Sequence, residues 1–307
     1  MKIGIPRSFL YFKYEFLWET FFKELGCEVV LSPETNKQIL KDGINHSIDE
    51  SCLSAKIYMG HVKALIGKAD YIFVPRIDNF GRNDKVCTKF NAMYDIVRNT
   101  FEGISLIDYN IDKRRGETEL KAFMGLGKSL GKGKLQTYKA YQKAKAVNKI
   151  EKTRIATEQD ELVETSDKLK ILLISHPYNI HDKLLGQPII EYIQKLDALP
   201  IYADSASTKI TREKYKELSK SLYWVYNKEL VGAIEYYKEK IDGIMFISTF
   251  PCGPDSMVNE LCIRKIKDIP MANIVLDELQ GEAGLHTRIE SFVDIIREKK
   301  KSKTRKD

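Results

Sequence analysis

Short β-rich runs alternate with helical stretches along this chain, and the alternation occurs twice. Residues 1–6 (MKIGIP), 27–31 (CEVVL), 71–77 (YIFVPRI) and 104–107 (ISLI) make the first set of strand-like runs. Residues 169–175 (LKILLIS), 199–202 (LPIY), 241–247 (IDGIMFI) and 271–276 (MANIVL) make the second. Helical patterns at 9–25, 51–66 and 89–100 accompany the first set, and those at 182–196, 211–240, 255–267 and 286–300 accompany the second. Strands that alternate with helices pair in parallel and bury both sheet faces under helices. The predicted fold class is therefore α/β: two Rossmann-like lobes with mostly parallel sheets flanked by helices, facing across a cleft. With 307 residues, 43% of them hydrophobic, the chain can bury two cores of ordinary size.

The division that follows is an N-terminal lobe over 1–116, a connecting helical segment over 117–167, a C-terminal lobe over 168–298 and a basic disordered tail over 299–307. In the connecting segment Leu135, Tyr138, Tyr141, Ala144, Val147 and Ile150 recur every three residues. That spacing makes an apolar seam winding slowly round one helix.

The net charge of +7 is concentrated rather than spread. Residues 298–307 carry six basic and two acidic side chains, and residues 132–154 carry eight basic and one acidic. The rest of the chain is net acidic. A nucleic-acid site wants a basic groove with stacking aromatics, so no nucleic-acid partner is expected. No apolar run approaches the roughly 18 residues of a membrane span. The N-terminal MKIGIPRSF lacks the features of a signal peptide. Five widely scattered cysteines do not form a secreted disulfide framework. A cytoplasmic location is expected, where such thiols are packed, catalytic or metal-bound.

Residues Ala122–Ser129 (AFMGLGKS) match a loosened phosphate-loop pattern. The working motif needs a strand before the loop and a helix after it. Here the preceding GETELKAF is helical in character, so the glycines more simply break one helix before the next. No G-x-G-x-x-G follows a strand.

The cysteines separate into two groups. Cys27 opens a strand, and Cys262 lies mid-helix between Leu261 and Ile263; both read as small buried hydrophobes. Cys52, Cys87 and Cys252 each fall where a loop enters a helix. Unpaired amides and the helix dipole favour a thiolate there. Thiolates of this kind hold iron–sulfur clusters. Around these loops stand His61, Arg76 and His176, two of them at strand ends. A zinc site from His61, His176 and His286 lacks ligand spacing.

Several stretches, in order along nearly the whole chain, carry a family resemblance. They are Ile3–Arg7 (IGIPR), Asp49–Lys56 (DESCLSAK) with Gly60-His61-Val62, Tyr71–Arg76 (YIFVPR), His176–Asn179 (HPYN), Pro251–Ser256 (PCGPDS), Leu276-Asp277-Glu278, Gly281–Gly284 (GEAG) and Thr287–Glu290 (TRIE). With them the sequence resembles the uncharacterised domain associated with acyl-CoA dehydratase activases. That domain is related to the iron–sulfur (component D) subunits of 2-hydroxyacyl-CoA dehydratases and to double-cubane cluster proteins. The resemblance implies an iron–sulfur cluster, 4Fe-4S or double cubane, held by Cys52, Cys87 and Cys252 between the lobes. It implies low-potential electron transfer or reductive dehydratase chemistry on an acyl-CoA or another small molecule. A separate ATP-dependent activator protein would supply the electron. His61, Arg76 and His176 would then bind the anionic substrate. The alternative is a non-enzymatic partner or regulatory subunit of an activator/dehydratase system, contacting it through helix 132–154 and the tail. The sequence departs from the family pattern at Ser54 and Thr88, where relatives tend to carry proline soon after the first two cysteines.

Overall fold

A computed structural model describes residues 1–279 and 281–304. The chain divides into two compact units, Met1–Glu151 with Tyr223–Val225, and Lys152–Leu222 with Tyr226 onward. Among the described residues, eight strands form two four-stranded sheets, and every pairing within them is parallel. The fold is α/β, as two Rossmann-like lobes. No helix among the described residues is long and apolar enough to cross a membrane.

The first unit runs β1 (Lys2–Ile5), α1 (Tyr11–Glu24), β2 (Glu28–Leu31), α2 (Lys37–Asn45), α3 (Leu53–Leu65), β3 (Tyr71–Asn79), α4 (Thr88–Thr100), β4 (Leu106–Asp112), α5 (Glu119–Ser129) and the start of α6 (Lys134–Thr165). Its strand order is β2-β1-β3-β4. Gly26, at φ +72°, takes the left-handed turn that lets α1 return into β2. Strand β3 sits inside the sheet, so Ile72, Phe73 and Val74 are buried on both faces. The core is aromatic. Trp18 and Phe22 of α1 meet the edge of Phe73 at 4.9 and 5.2 Å, and Phe123 of α5 packs 5.0 Å from Tyr109 of β4. Such edge-to-face pairs stabilise by about 1 kcal/mol beyond the area they bury.

The helix α2 has no counterpart in the sequence reading. Its seat on α3 is unusually close. A Cβ on Gly60 would lie 2.0 Å from the Ile39 carbonyl oxygen, and one on Gly43 would lie 1.9 Å from that of Lys56. Glycine at 60 is therefore required by a backbone-to-backbone approach.

The second unit continues α6 and runs β5 (Leu169–Ile174), α7 (Pro177–Ile180), α8 (Gln187–Lys195), β6 (Ala198–Tyr202), α9 (Thr208–Leu218), α10 (Val225–Tyr237), β7 (Gly243–Thr249), α11 (Gly253–Lys265), β8 (Met271–Leu276) and α12 (Glu282–Thr304). Its strand order, β6-β5-β7-β8, repeats that of the first unit. Every residue of β7 is buried.

Three boundaries differ from the sequence reading. The expected helix over 211–240 is two helices, and the turn between them carries Tyr223–Val225 into the first unit. Within the expected connecting segment, α6 begins in the first unit and ends in the second. In its first half Tyr141 packs 4.9 Å from Phe123 and donates to Glu119, and Lys143 pairs with Glu24 at 2.7 Å. In its second half Asp160 accepts from the Tyr236 and Tyr237 hydroxyls, at 3.0 and 2.7 Å. Of the expected disordered tail, residues 299–304 continue α12, and residues 305–307 lie outside the described residues. Lys299 donates to the Asp268 carbonyl and Lys300 pairs with Asp242, so basic side chains dock back on the unit.

Candidate functional site

In a parallel sheet the strands end, and the following helices begin, at one edge; ligands bind there in open α/β sheets. The three loop cysteines all occupy that edge of their own sheets. Cys52 is the N-cap residue of α3, Cys87 of α4 and Cys252 of α11. Each has extended backbone angles, and each is half-buried. Their carbonyls accept the first bonds of their helices, from Ala55 and Lys56, from Phe90, and from Ser256. The remaining two cysteines contrast with them. Burial raises the Cys27 thiol and pushes that of Cys262 up to about 12, so both stay protonated packing groups.

In the first unit, Lys89 on the opening turn of α4 reaches Ser51 beside Cys52, at 3.5 Å. The ring of Phe9 stacks on Tyr58 of α3 at 5.1 Å and meets the edge of Phe90 of α4 at 5.2 Å. Both cysteine-capped helices are thus held by one aromatic side chain. The loop before Cys87 is pinned on two sides. Val86 donates to the Asp78 carbonyl at 3.2 Å, and Val225 donates to that of Lys85 at 2.8 Å. Asn79, fully buried, anchors the strand end by donating to Asp78 and Asp112 at 2.7 Å each and accepting from the amides of Gly81 and Arg114.

In the second unit, Asp255 lies in the first turn of α11, three residues after Cys252, and is buried. Its Oδ1 accepts from His176 Nε2 at 2.9 Å and from Asn227 Nδ2 at 2.9 Å, and the carboxylate also hydrogen-bonds the Cys252 side chain. Burial alone would raise this carboxyl. The charge and hydrogen bond of His176, with those of Asn227 and Cys252, outweigh burial and hold it below the usual carboxylate range. His176 caps α7, and its ring stacks 5.0 Å from Tyr178.

His61, Arg76 and His176 each have side-chain partners within the protein. His61 is fully buried, and its Nδ1 and Nε2 contact the hydroxyls of Ser32 and Thr35 at 2.7 and 2.9 Å. Burial, with the nearby Arg7 charge, lowers its pKa to about 3, so the ring is neutral. Both His61 nitrogens tie α3 to the segment after β2. Arg76 forks onto Asp95 at 2.6 and 2.8 Å and lies 4.2 Å over the Tyr94 ring. That bond holds the Asp95 carboxyl below its usual range. His176 holds Asp255. His286, the third member of the zinc triad, stacks 4.0 Å from Tyr192. Residues Ala122–Ser129 lie within α5, with Phe123 and Leu126 buried, so no phosphate loop exists there.

Among the described residues, no group of three or more His, Cys, Asp or Glu side chains is gathered to hold a metal ion. Each of the three helix starts presents one cysteine sulfur, and that of Cys252 is hydrogen-bonded to the Asp255 carboxylate. Asp255 and Asn227 carry roles that the sequence reading did not assign. An acidic residue in the first turn of a helix is ordinary, and the 28 residues separating Asn227 from Asp255 leave no pattern.

The fold and its capping residues define a protein of two Rossmann-like α/β units with thiols at the ligand-binding edges of both sheets. A family model described as the CoA enzyme activase uncharacterised domain matches residues 2–206. That match spans about two thirds of the chain, and the chain belongs to this family. No curated protein matches it in sequence. Among solved structures, ZnuA is 12% identical with a TM-score of 0.28, over 97% of this chain and 98% of that one. A carbohydrate transporter from Acidothermus cellulolyticus 11B, in complex with myo-inositol, is 9% identical with a TM-score of 0.21, over 89% of this chain and 72% of that one. Likeness at these TM-scores bears on neither fold nor function.

Proposed function

We propose that this chain is an iron–sulfur protein of a CoA-enzyme activation system, related to the component D subunits of 2-hydroxyacyl-CoA dehydratases and to double-cubane proteins. Cys52, Cys87 and Cys252 are its thiolate ligands. It takes a low-potential electron from a separate ATP-dependent activator and passes it to an acyl-CoA or another small molecule. The carrying observation is that these three cysteines, and neither Cys27 nor Cys262, cap helices at the ligand-binding edges of their sheets. Family membership supports the activase system.

The test is anaerobic purification followed by reconstitution with iron and sulfide. Iron and acid-labile sulfide in equal amounts, with an absorption band that bleaches on reduction, are expected. A colourless, iron-free protein after reconstitution contradicts the reading.

A second reading, a non-enzymatic partner of the activator or dehydratase, draws on α6. Its basic first half leaves Leu135, Tyr138 and Ile150 exposed. It predicts that charge reversal at Lys139 and Lys145 abolishes co-purification with the activator while Cys52→Ser does not.

A further inference from the structure

We infer that the first unit binds a small, uncharged, mostly apolar molecule carrying one hydrogen-bond acceptor, in a pocket plugged by Phe9, with the Tyr58 hydroxyl as its donor. The pocket opens at the ends of β1 and β3. Phe9, Trp18, Tyr58, Phe73, Phe90 and Met93 line it, and no charged side chain does. An apolar and aromatic lining with few polar groups, the Tyr58 hydroxyl and the Trp18 indole N–H both buried without a hydrogen-bond partner, selects a neutral ligand by shape and few bonds. Phe90 and Met93 come from the helix capped by Cys87, and Tyr58 from the helix capped by Cys52. The pocket uses none of the cysteines, so its test is independent of the iron–sulfur reading.

The pocket has two unusual features. The Tyr58 hydroxyl is buried and has no hydrogen-bond partner. Leaving a hydroxyl unpaired is costly, and phenylalanine would fill the same space without that cost. Burial raises the Tyr58 pKa, so the group is a neutral donor. Second, Phe9 sits at φ +49°, a left-handed conformation that is strained for a bulky side chain. Strain of this kind persists where the surroundings impose it, and it concentrates at ligand clamps and switches.

The strained residue is the plug. With the Phe9 ring stacked on Tyr58, the space open to the centre of a water-sized sphere is only about 10 Å³. That admits about one water, and a mostly apolar cavity gives a water few of the partners it needs. Displacing Phe9 along the loop between β1 and α1 relieves its backbone and bares the Tyr58 ring and hydroxyl together. The ligand then takes over the stacking and supplies the missing acceptor.

Titration calorimetry on the full chain tests this, with acetophenone as a neutral probe carrying one acceptor and ethylbenzene as its counterpart without one. The Trp18 indole resonance reports the location. Acetophenone is expected to bind saturably and shift that resonance. Tyr58→Phe should weaken acetophenone roughly five- to tenfold, the loss of one hydrogen bond, and leave ethylbenzene unchanged. Phe9→Gly, which accepts positive φ and removes the plug, should strengthen both. Tyr58→Phe should unfold at or above the wild-type temperature, since it deletes an unpaired polar group. No saturable binding by Phe9→Gly overturns the pocket, and equal weakening of both probes by Tyr58→Phe overturns the donor.

Discussion

In the first unit, Cys52 and Cys87 cap helices whose shared contact is aromatic, through Phe9, Tyr58 and Phe90. In the second unit, with the same strand order, Cys252 caps a helix whose first turn is a buried polar network of Asp255, His176 and Asn227. One architecture therefore sets thiols at the same topological position in two different media. Where the frame is apolar, a helix start is fixed by packing area and tolerates local change. Where it is a buried carboxylate with three donors, each donor depends on the others.

The largest expected effect breaks the polar side of that contrast. Asp255→Ala leaves His176 and Asn227 buried without their acceptor and should lower stability by about 3–5 kcal/mol. Chemical denaturation measures it, and a loss under about 1 kcal/mol would make the network incidental.

The next effect tests His61, a fully buried polar residue of α3. His61→Leu removes the ring's bonds to the Ser32 and Thr35 hydroxyls and should cost about 2–4 kcal/mol. His61 also predicts a pH dependence. Its folded pKa, about 3, lies below the unfolded value, about 6.5. The unfolded chain therefore binds the extra proton first. The stability from neutral His61 is fully present above pH ~6.5 and is lost as pH falls toward 3, by up to about 1.4 kcal/mol per unit. His61→Leu should flatten that slope between pH 6 and 4; an unchanged slope would assign it to other groups.

Gly60→Ala sharpens the packing side. Its methyl meets the Ile39 carbonyl oxygen, and separation of α2 from α3 should cost about 1–3 kcal/mol in thermal unfolding. Arg76→Ala is the smallest. Its partner Asp95 is more than half exposed, so despite the bidentate geometry a loss of less than about 1 kcal/mol is expected, read from the unfolding midpoint.

Much of this architecture is written in local sequence. All eight strand-like runs became strands, because buried parallel strands demand β-branched and aromatic runs such as YIFV. The three helix-capping cysteines were readable too, since each follows a loop and precedes a helical pattern. What escaped depends on distant partners. Helix α2 is only nine residues long and carries Gly43, a poor helix former, in its interior. The break between α9 and α10 lies among Leu218, Leu222 and Val225, residues apolar enough to continue a helix on paper. His61 looks like a ligand in sequence, and its two hydroxyl partners lie 26 and 29 residues away. Asp255 looks like an ordinary first-turn acid until Asn227 and His176 converge on it.

The most direct measurement of the central claim is iron bound after anaerobic reconstitution, compared across the five single Cys→Ser variants. The proposal predicts that Cys52→Ser, Cys87→Ser and Cys252→Ser each lose the cluster spectrum and most of the iron, while Cys27→Ser and Cys262→Ser keep both. Equal iron in all five, or loss confined to the two buried cysteines, would contradict it.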